Sequence, residues 1–300
     1  MQVLVVGFGS IGSRHARILA EKCEVHVITR RDITDHPSSK TIGEGIRKCH
    51  PKYVVIASAT DEHLDNLIEL AQLGYSESLL IEKPLFAKIE NPPELKVRRL
   101  AVGYNLRFHP LVRRLKRLVE QEGPIISAEF YVGQHIEDWR PGRDYQSSYS
   151  ARIERGGGVI RDLSHELDLA RYLFGDFTLL TATEGRREPL DVDLPHEVVV
   201  AGASSHCRQI TITMNCIDKP AQRWIRIHSP MSTYLADLLT GEFVGPDHQE
   251  SLACEKDDTY RLMHHNVISD TGTGFASMTD GLSVMKLISE IELQLSSVKS

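Results

Sequence analysis

Three glycines near the start of the chain have the spacing of a phosphate-binding loop. Gly7, Gly9 and Gly12 form G-x-G-x-x-G after a valine-rich apolar segment, with a helix predicted over 13–22 and a second strand over 24–28. In a dinucleotide-binding fold such glycines serve a tight turn, close approach of the backbone to a pyrophosphate, and close helix–strand packing. The helix N-terminus adds N–H groups and positive potential. An ordinary loop is the alternative, but the flanking elements favour cofactor binding.

A lysine at the end of an apolar segment is the second candidate for chemistry. The sequence SLLIEKP at 78–84 predicts a buried strand that ends in Glu82, Lys83 and Pro84. A salt-bridged structural lysine is the simpler interpretation, but side chains alternate along a strand, so Glu82 should point away from Lys83. Such a lysine could instead donate a hydrogen bond that stabilises negative charge on a reacting oxygen.

The residues after the second predicted strand bear on the choice of cofactor. An enzyme that uses NAD usually carries an acidic residue there, about 20 residues after the glycines, for the ribose 2′-hydroxyl. This chain has Thr29, Arg30 and Arg31 at that place. An arginine can pair with a 2′-phosphate, which favours NADP. The alternative is that both arginines are solvated charges of a loop.

These candidates come together if the segments between them form an alternating α/β fold. Helices are predicted over 42–49 and 61–73, and a valine-rich strand over 53–60. The alternation predicts parallel strands with right-handed crossovers, that is, a doubly wound parallel sheet. Ligands of such sheets bind at the carboxyl ends of the strands. We therefore expect one crevice lined by Gly7, Thr29, Ser58, Thr60 and Lys83.

Length and composition exclude several other classes of protein. A chain of 300 residues, 41% hydrophobic and 25% charged, can form two globular domains. Its net charge of −6 argues against a general nucleic-acid binder. No apolar segment reaches the roughly 18 residues of a membrane span, and no signal peptide is predicted. The five scattered cysteines indicate free thiols in a reducing compartment, so we expect a cytoplasmic protein.

A second domain is predicted from residue 103, which gives a dinucleotide-binding domain at 1–102 and a domain for substrate binding and oligomerisation at 103–300. Asn105 and Arg107 follow the predicted boundary, and a cleft between domains is a common place for small-molecule sites. For Arg107 a purely structural role in the turn is equally compatible with the sequence. For His109 the structural role is favoured.

A long segment without periodicity follows a strand predicted over 125–133. It carries Trp139, Arg140 and Tyr149, side chains that suit stacking on a sugar and pairing with an anion. Long irregular loops of compact domains are often binding loops, although an ordinary exposed or oligomer-contacting loop is the alternative. Strands separated by polar turns beyond residue 177 predict an antiparallel sheet whose exposed face could form a homo-oligomer. The remaining histidines lack metal-ligand spacing, so no metal is expected.

Five motifs in a fixed order resemble one known family. They are GFGSIGSRH, ASATDEH, IEKPL, GYNLRFHP and GGGVIRDLSHELDLARYLFGD, within residues 1–176, and MTDGLSVMKLISEIE is similar to the family's last helix. The chain thus resembles the glucose–fructose oxidoreductase / inositol dehydrogenase / MocA (Gfo/Idh/MocA) family. The resemblance implies an N-terminal Rossmann domain and a C-terminal α/β domain with an open, mostly antiparallel sheet. It also implies NAD(P)-dependent oxidation or reduction of a sugar or nucleotide sugar.

The resemblance also implies site residues. Lys83 matches the lysine of the family's E-K-P motif, and His165 matches its catalytic-site histidine, which would take a proton from a substrate hydroxyl. Asp162 stands three residues before His165, where many members have an aspartate four before, so its catalytic role is less well supported. The expected cofactor-binding residues are Gly7, Gly9, Ser10, Ile11, Gly12, Thr29, Arg30, Arg31, Ser58, Thr60, His63, Glu82 and Lys83. The expected substrate-binding residues are Asn105, Arg107, Trp139, Arg140, Tyr149 and His165.

Two other functions agree with the same motifs. Some relatives retain their cofactor and oxidise a sugar only transiently, during glycoside cleavage or oxidoreduction between two sugars. A non-catalytic NADP sensor would keep the Rossmann domain alone. The presence of both Lys83 and His165 argues against the sensor, because binding alone requires neither residue.

Overall fold

The computed structural model describes residues 1–139, 157–186, 195–269 and 271–297. The chain forms two compact units. Unit 1 comprises Met1–Phe108 and Lys256–Leu282, and unit 2 comprises His109–Glu255 and Ser283–Ser300.

The composition of unit 1 differs from the division proposed at residue 102. A late segment of the chain joins it, because Met263 and Val267 are buried in the same hydrophobic core as Phe108 and the strand residues Val55 and Leu80. Local periodicity does not indicate which core such a segment joins. The functions assigned to the two domains stay predictions.

Unit 1 is built on a six-stranded parallel sheet in the order β3-β2-β1-β4-β5-β6. Its strands are β1 (Gln2–Val6), β2 (Glu24–Ile28), β3 (Ser38–Ser39), β4 (Tyr53–Ile56), β5 (Ser78–Ile81) and β6 (Arg99–Val102). The helices between them are α1 (Ser10–Ala20), α2 (Ile42–Cys49) and α3 (His63–Gln72), and a later helix, α8 (Asp258–Ile268), belongs to the same unit. Short 3₁₀ helices occupy Thr60–Glu62 and Asn105–Phe108. This is the doubly wound sheet that the sequence predicted.

The central strands of unit 1 consist of apolar residues because both faces of the sheet are covered. All four residues of β4 and of β5 are buried, and β1 aligns with β2 and β4 in parallel register, with Val5 opposite both Val27 and Val55. Branched aliphatic side chains pack well on such a pleated surface. The strand ends at Val6, Ile28, Ile56 and Ile81 therefore lie along one edge of the sheet.

Unit 2 is built on an eight-stranded sheet in the order β14-β13-β12-β11-β7-β10-β9-β8. Its strands are β7 (Ile125–Gly133), β8 (Thr178–Glu184), β9 (Glu197–Ala203), β10 (Cys207–Asn215), β11 (Gln222–His228), β12 (Thr233–Asp237), β13 (Glu242–Val244) and β14 (Gln249–Ser251). The pair β7–β10 is parallel and the other pairs are antiparallel. The predicted open, mostly antiparallel sheet is confirmed.

The helices of unit 2 cover one face of this sheet. They are α4 (Pro110–Glu122), α5 (Ile136–Trp139), α6 (Val159–Asp162), α7 (His165–Phe174) and α9 (Met278–Ser297), which begins in unit 1 and continues in unit 2 after Leu282. Phe130 of β7 meets Phe174 of α7 edge to face, with ring centroids 6.2 Å apart, a usual separation for an aromatic pair. Alternate residues of the same strands, such as Glu129 and Tyr131, are only partly buried. One face of the sheet is therefore core and the other remains partly accessible.

The limits of several predicted elements shift by a few residues. Helix α1 begins at Ser10 rather than at residue 13, because Gly9 serves as its N-cap residue. The strand predicted over 53–60 ends at Ile56, and the chain turns into the 3₁₀ helix at Thr60. The strand predicted over 78–84 ends at Ile81, so Glu82 and Lys83 follow the strand. No helix in the described part of the chain has the length and apolar composition of a membrane span.

Candidate functional site

The glycine loop connects β1 to α1 in a conformation that two of its glycines make possible. Gly7 has φ of +94°, and a Cβ at this position would lie 2.7 Å from both the Ser58 Cα and the Ala57 carbonyl oxygen. A Cβ on Gly12 would overlap the Gly7 carbonyl oxygen. Gly7 and Gly12 are therefore required by the packing of the protein itself, since any side chain would displace backbone.

Gly9 differs from the other two glycines because the packing of the protein does not require it. Its φ of −80° suits any residue, and a Cβ built on it meets no atom of the described chain within 4 Å. A glycine at this exposed N-cap of α1 leaves room next to the first N–H groups of the helix. This arrangement fits the pyrophosphate of a dinucleotide, which approaches the backbone closely at the second glycine.

Cationic residues gather where β2 ends. Arg30 is 92% exposed, with one guanidinium nitrogen 3.7 Å from a Glu62 carboxylate oxygen, and the Arg31 guanidinium donates to the Phe8 carbonyl at 3.4 Å. Thr29 is buried, and its hydroxyl accepts the Arg31 N–H at 3.1 Å. Lys40 donates to the Arg30 carbonyl at 3.2 Å. The end of β2 thus carries the positive charges that the sequence predicted, with Lys40 added.

The residues after β4 are held by local hydrogen bonds. Ser58 accepts a hydrogen bond from the Asn66 amide at 2.8 Å, and Thr60 begins the 3₁₀ helix. His63 is buried, and its Nδ1 donates to the Leu85 carbonyl at 3.1 Å. Burial lowers the pKa of His63, with the Leu85 carbonyl opposing that shift, so this imidazole is neutral near pH 7. Its predicted contact with a cofactor stays a prediction.

Glu82 and Lys83 follow β5 and have different surroundings. Glu82 is buried, and one carboxylate oxygen lies 2.9 Å from His15 Nε2. The other carboxylate oxygen accepts the backbone N–H of Lys83 at 3.0 Å. Gly103 is required beside it, because a Cβ there would lie 2.7 Å from Glu82 Oε1. The contacts give Glu82 a structural role, whereas Lys83 is only partly buried.

His165 and Asp162 lie on neighbouring helices of unit 2. His165 is the first residue of α7 and is partly buried, and Asp162 is the last residue of α6. Ser164 occupies the N-cap position of α7 without a side-chain capping bond, which differs from the cap that its residue type suggests. Burial raises the pKa of the Cys216 thiol to about 12, and the Asp162 carboxylate contributes to that rise.

The acidic residue next to His165 is neutralised within the same unit. The buried Glu166 carboxylate accepts two hydrogen bonds from Arg223, at 2.7 Å from Nε and 3.0 Å from Nη2. Such a bidentate pair is strong and directional. It fixes the first turn of α7, and with it the backbone of His165.

Three of the predicted substrate-binding residues have partners within their own unit. Asn105 donates to the Thr259 hydroxyl at 2.6 Å, and Arg107 lies 3.4 Å from an Asp280 carboxylate oxygen. Trp139 donates its indole N–H to the Gln134 carbonyl at 2.9 Å. For Arg107 these contacts favour the structural role that the sequence left open. Arg140 and Tyr149, also predicted for substrate, lie outside the described residues.

The structure adds residues that sequence reasoning missed. His15, Tyr53 and His264 form a buried hydrogen-bonded chain with Glu82, whereas the sequence analysis left His264 among the remaining histidines without metal-ligand spacing. His109 caps α4, since its Nδ1 accepts the Leu111 N–H at 3.2 Å, which agrees with the structural role favoured for it. In the described ranges no group of three or more His, Cys, Asp or Glu side chains could hold a metal ion.

Comparison with known proteins gives the fold. No model of a known protein family matches the chain. The levoglucosan dehydrogenase of Pseudarthrobacter phenanthrenivorans is 30% identical over 142 residues, 44% of this chain and 36% of the relative. The uncharacterized oxidoreductase YrbE of Bacillus subtilis is 29% identical over 41% of this chain and 35% of its own length. The chain thus matches about a third of the length of these curated relatives.

Solved structures extend the similarity to nearly the whole chain. A levoglucosan dehydrogenase in complex with NADH and L-sorbose superimposes with a TM-score of 0.83 and 18% identity, over 99% of this chain and 97% of that one. The WlbA dehydrogenase from Bordetella pertussis, in complex with NADH and UDP-GlcNAcA, gives a TM-score of 0.80 and 18% identity over 99% and 96% of the chains. This chain therefore has the same fold as these solved dehydrogenases, with the parallel sheet and the mostly antiparallel sheet that the resemblance implied.

Proposed function

We propose that this chain is an NAD(P)-dependent oxidoreductase that transfers a hydride between a nicotinamide and a hydroxyl or keto carbon of a sugar or nucleotide sugar. Its support is the fold together with relatives that are named as dehydrogenases of such compounds. The same proposal includes a role in the synthesis of surface-polysaccharide sugars, since the arginines that follow Trp139 in the sequence would suit an anionic substrate.

The observation that carries the proposal is the contrast among the three glycines. Packing explains Gly7 and Gly12, because a side chain at either position would collide with backbone. Packing does not explain Gly9, whose surroundings in the described chain are open. A ligand that approaches the N-terminus of α1 explains it, and a dinucleotide pyrophosphate is the ligand that this motif serves.

In the proposed chemistry Lys83 and His165 have separate roles. A bound nicotinamide would supply the hydride acceptor or donor. Lys83 donates a hydrogen bond to the substrate oxygen and stabilises the negative charge that develops on it. His165 takes the proton of the substrate hydroxyl, or returns it in the reduction. Asp162, at the end of α6, is the third candidate of this set.

NADP is the proposed form of the cofactor. The support is the presence of Arg30 and Arg31 at the end of β2, where a 2′-phosphate would be recognised, and of Thr29 where an NAD enzyme usually has a carboxylate. Lys40 lies there too, but its charge is paired with Asp32 at 3.1 Å. We expect R30A and R31A to raise the KM for NADP by roughly tenfold, about the effect of one charge-assisted contact, and to leave the KM for NAD nearly unchanged. Equal effects on both cofactors would contradict this assignment.

Turnover assays test the proposal as a whole. Sugars and nucleotide sugars are screened with NAD and NADP while the absorbance of the reduced nicotinamide is followed. K83M and H165A should each reduce kcat by roughly a hundredfold or more, and D162N tests the third candidate in the same assay. K88M and H206A are matched controls, because Lys88 and His206 are exposed. Full turnover in both K83M and H165A would refute the proposed mechanism.

The same assay separates the alternative functions. Product formation without net change in the cofactor indicates an enzyme that retains it, and tight NADP binding without any product indicates a sensor. G9A serves as the binding control. Its unfolding free energy should stay within about 0.5 kcal/mol of wild type, since no packing is disturbed, while cofactor affinity should fall by at least roughly tenfold. Unchanged affinity in G9A would contradict a dinucleotide at this loop.

We also propose that the chain forms a homo-oligomer through the partly accessible face of the unit 2 sheet and works in the cytoplasm. On that face Tyr131 stacks on Trp224, with ring centroids 5.2 Å apart and planes 5° from parallel. In the described part of the chain no disulfide joins any of the five cysteines, Cys23, Cys49, Cys207, Cys216 and Cys254, which suits a reducing compartment. Light scattering of wild type and W224E tests the oligomer, and an unchanged mass in W224E would place the interface elsewhere.

A further inference from the structure

Four buried side chains of unit 1 form one continuous line of hydrogen bonds, which we call the buried relay. Tyr53 Oη lies 2.9 Å from His264 Nδ1, and His264 Nε2 lies 2.9 Å from His15 Nδ1. His15 Nε2 lies 2.9 Å from Glu82 Oε1. All four side chains are at least nine-tenths buried. Each member comes from a different element: β4, α8, α1 and the segment after β5.

The relay ends at the backbone of Lys83. The second oxygen of Glu82 accepts the Lys83 N–H at 3.0 Å, so this carboxylate holds the peptide group that precedes the Lys83 side chain. Gly103 leaves the space in which the carboxylate lies. The relay therefore connects α1, the helix that follows the glycine loop, to the residue proposed to contact the substrate.

When Glu82 is ionised and both imidazoles are neutral, one arrangement of protons forms all three side-chain bonds of the relay. An ionised Glu82 can only accept, so His15 Nε2 must carry the proton of that bond. A neutral His15 then accepts at Nδ1, which requires His264 to donate from Nε2. His264 accepts in turn at Nδ1, and Tyr53 donates its hydroxyl proton there. Donors thus point in one direction, from Tyr53 to Glu82.

The surroundings of the relay favour this neutral arrangement. Burial lowers the pKa of His264 well below its usual value, so this ring is neutral near pH 7. Burial also raises the pKa of Tyr53 well above its usual value, with Tyr75, Glu82 and Cys23 acting in the same direction. The Tyr260 ring meets His15 edge to face with centroids 5.5 Å apart. An ordered line of neutral donors satisfies such buried groups without adding a second charge.

We propose that His15 and His264 are positioning residues, which hold Glu82 in a single ionised orientation and thereby fix the backbone of Lys83. The catalytic consequence rests on the proposed function, whereas the hydrogen-bond order does not. Small displacements of a reacting group can reduce rates by about a hundredfold. Loss of the relay should therefore lower kcat more than it weakens cofactor binding.

Nitrogen NMR of the histidine rings tests the order of the protons without any turnover. Near neutral pH, His15 and His264 should both carry their single proton on Nε2, with Nδ1 unprotonated. The exposed His206, which is not part of the relay, is the internal control. In Y53F the Nδ1 of His264 loses its donor, and its resonance should shift. A proton on Nδ1 of either relay histidine in wild type would overturn the inference.

Amide hydrogen exchange tests the link to Lys83, again without turnover. The Lys83 N–H should exchange slowly in wild type, and roughly tenfold or more faster in H15L, which removes the donor that orients Glu82. H15Q should restore protection, because its side-chain amide donates to Glu82 and its carbonyl accepts from His264. Equal exchange at Lys83 in wild type and in a folded H15L would overturn the inference. If H15L does not fold, Y53F and H15Q decide the question by the same two measurements.

Kinetics then test the positioning role. H15L should lower kcat by roughly tenfold to a hundredfold with the KM for cofactor within about threefold of wild type, and H15Q should recover most of the loss. H265L, at an exposed neighbour of His264, is the control. Unchanged kcat in a folded H15L refutes the positioning role alone. A wild-type protein without turnover on any substrate refutes the proposed function, and the two spectroscopic tests still decide on the relay.

Discussion

A polar network in unit 1 and another in unit 2 are built on different principles. In unit 1 the relay joins two imidazoles, a phenol and a single carboxylate, all at least nine-tenths buried. In unit 2 the charge cluster, defined as Tyr131, Arg186, Glu197, Asn215 and Asp218, lies at the ends of β7, β8 and β10 and the start of β9. Arg186 donates to Glu197 at 2.6 Å and to Asp218 at 3.1 Å, and its side chain is 54% exposed. One network thus avoids cations and the other is organised around one.

The difference shows how each network satisfies its buried acid. In the charge cluster, burial tends to raise the pKa of Asp218, but hydrogen bonds from Tyr131, Asn215 and Arg186 outweigh it and lower the pKa. Because Asp218 has several donors and the Arg186 side chain is accessible to water, we expect the cluster to tolerate a change of one member. In the relay His15 and His264 each bond to one relay member on either side, so the loss of one ring removes a partner from two buried groups. The relay should therefore be the more sensitive network.

Removal of the central relay histidine should have the largest effect. H264L leaves the Tyr53 hydroxyl and the His15 Nδ1 buried without partners, and we expect a loss of roughly 2–5 kcal/mol in the free energy of unfolding, since each such group costs about 1–3 kcal/mol. Urea denaturation near pH 7 measures it, with H265L as the exposed control. A loss below about 1 kcal/mol would mean that water replaces the missing ring, and the contrast between the networks would then disappear.

The charge cluster should respond less, and its response should depend on pH. D218N should cost about 2 kcal/mol near pH 7, the usual contribution of hydrogen bonds to a charged group. The folded pKa of Asp218 is below its ordinary 3.8, so its ionised form stabilises the fold above pH 3.8 and this stabilisation is lost as the pH falls through the folded pKa. Denaturation at several acidic pH values should show the wild type and D218N converge. A constant difference between them would contradict the assignment.

A buried histidine that is not part of either network gives a prediction of similar size. Burial lowers the pKa of His109 from 6.5 to about 4. Its neutral form is stabilising above pH 6.5, and this stabilisation is lost as the pH falls from 6.5 towards the folded value, because the unfolded chain binds the proton first. H109N keeps a capping side chain for α4 but lacks the titrating imidazole. Between about pH 7 and about pH 5 its unfolding free energy should therefore fall by roughly 2 kcal/mol less than that of the wild type. H206N is the exposed control and should leave that loss unchanged.

The smallest effect is expected at the tyrosine of the charge cluster. Y131F removes a hydroxyl that donates to Asp218 at 2.6 Å, but Asn215 and Arg186 still donate to the same carboxylate. We expect Y131F to lower the free energy of unfolding by about 1 kcal/mol or less. Y53F should lower it by about 1–3 kcal/mol, because within the relay Tyr53 is the donor to the buried His264 Nδ1. Parallel thermal denaturation of the two variants compares them. The reverse order would refute the proposed difference in sensitivity.

The parts of the structure that depend on short segments agree with the sequence predictions. The strands at Glu24–Ile28 and Ile125–Gly133 and the helix at Ile42–Cys49 have the predicted limits. Their apolar periods and turn residues lie within a few positions of each other, and local backbone preference follows from such patterns. The glycine motif is local in the same sense, since Gly7, Gly9 and Gly12 lie within one short segment.

The sequence did not decide the roles of those site residues whose partners are distant along the chain. An arginine such as Arg107 after a strand has the same local pattern whether its partner is a ligand or Asp280, which lies 173 residues later. Glu82 was expected at a cofactor, but its carboxylate is bonded to His15 from α1. No local signal distinguishes these cases, because a hydrogen bond depends on the position of the partner and not on the spacing of residues around the donor.

The sequence by itself determined the α/β class, the glycine loop and the order of strands and helices, because each follows from residues that are neighbours along the chain. Only the tertiary structure decided that α8 joins unit 1 and brings His264 between Tyr53 and His15. That contact spans 211 residues to Tyr53 and 249 to His15. The contact matters because these side chains are buried, and a polar group that is excluded from water needs a hydrogen-bond partner within the protein.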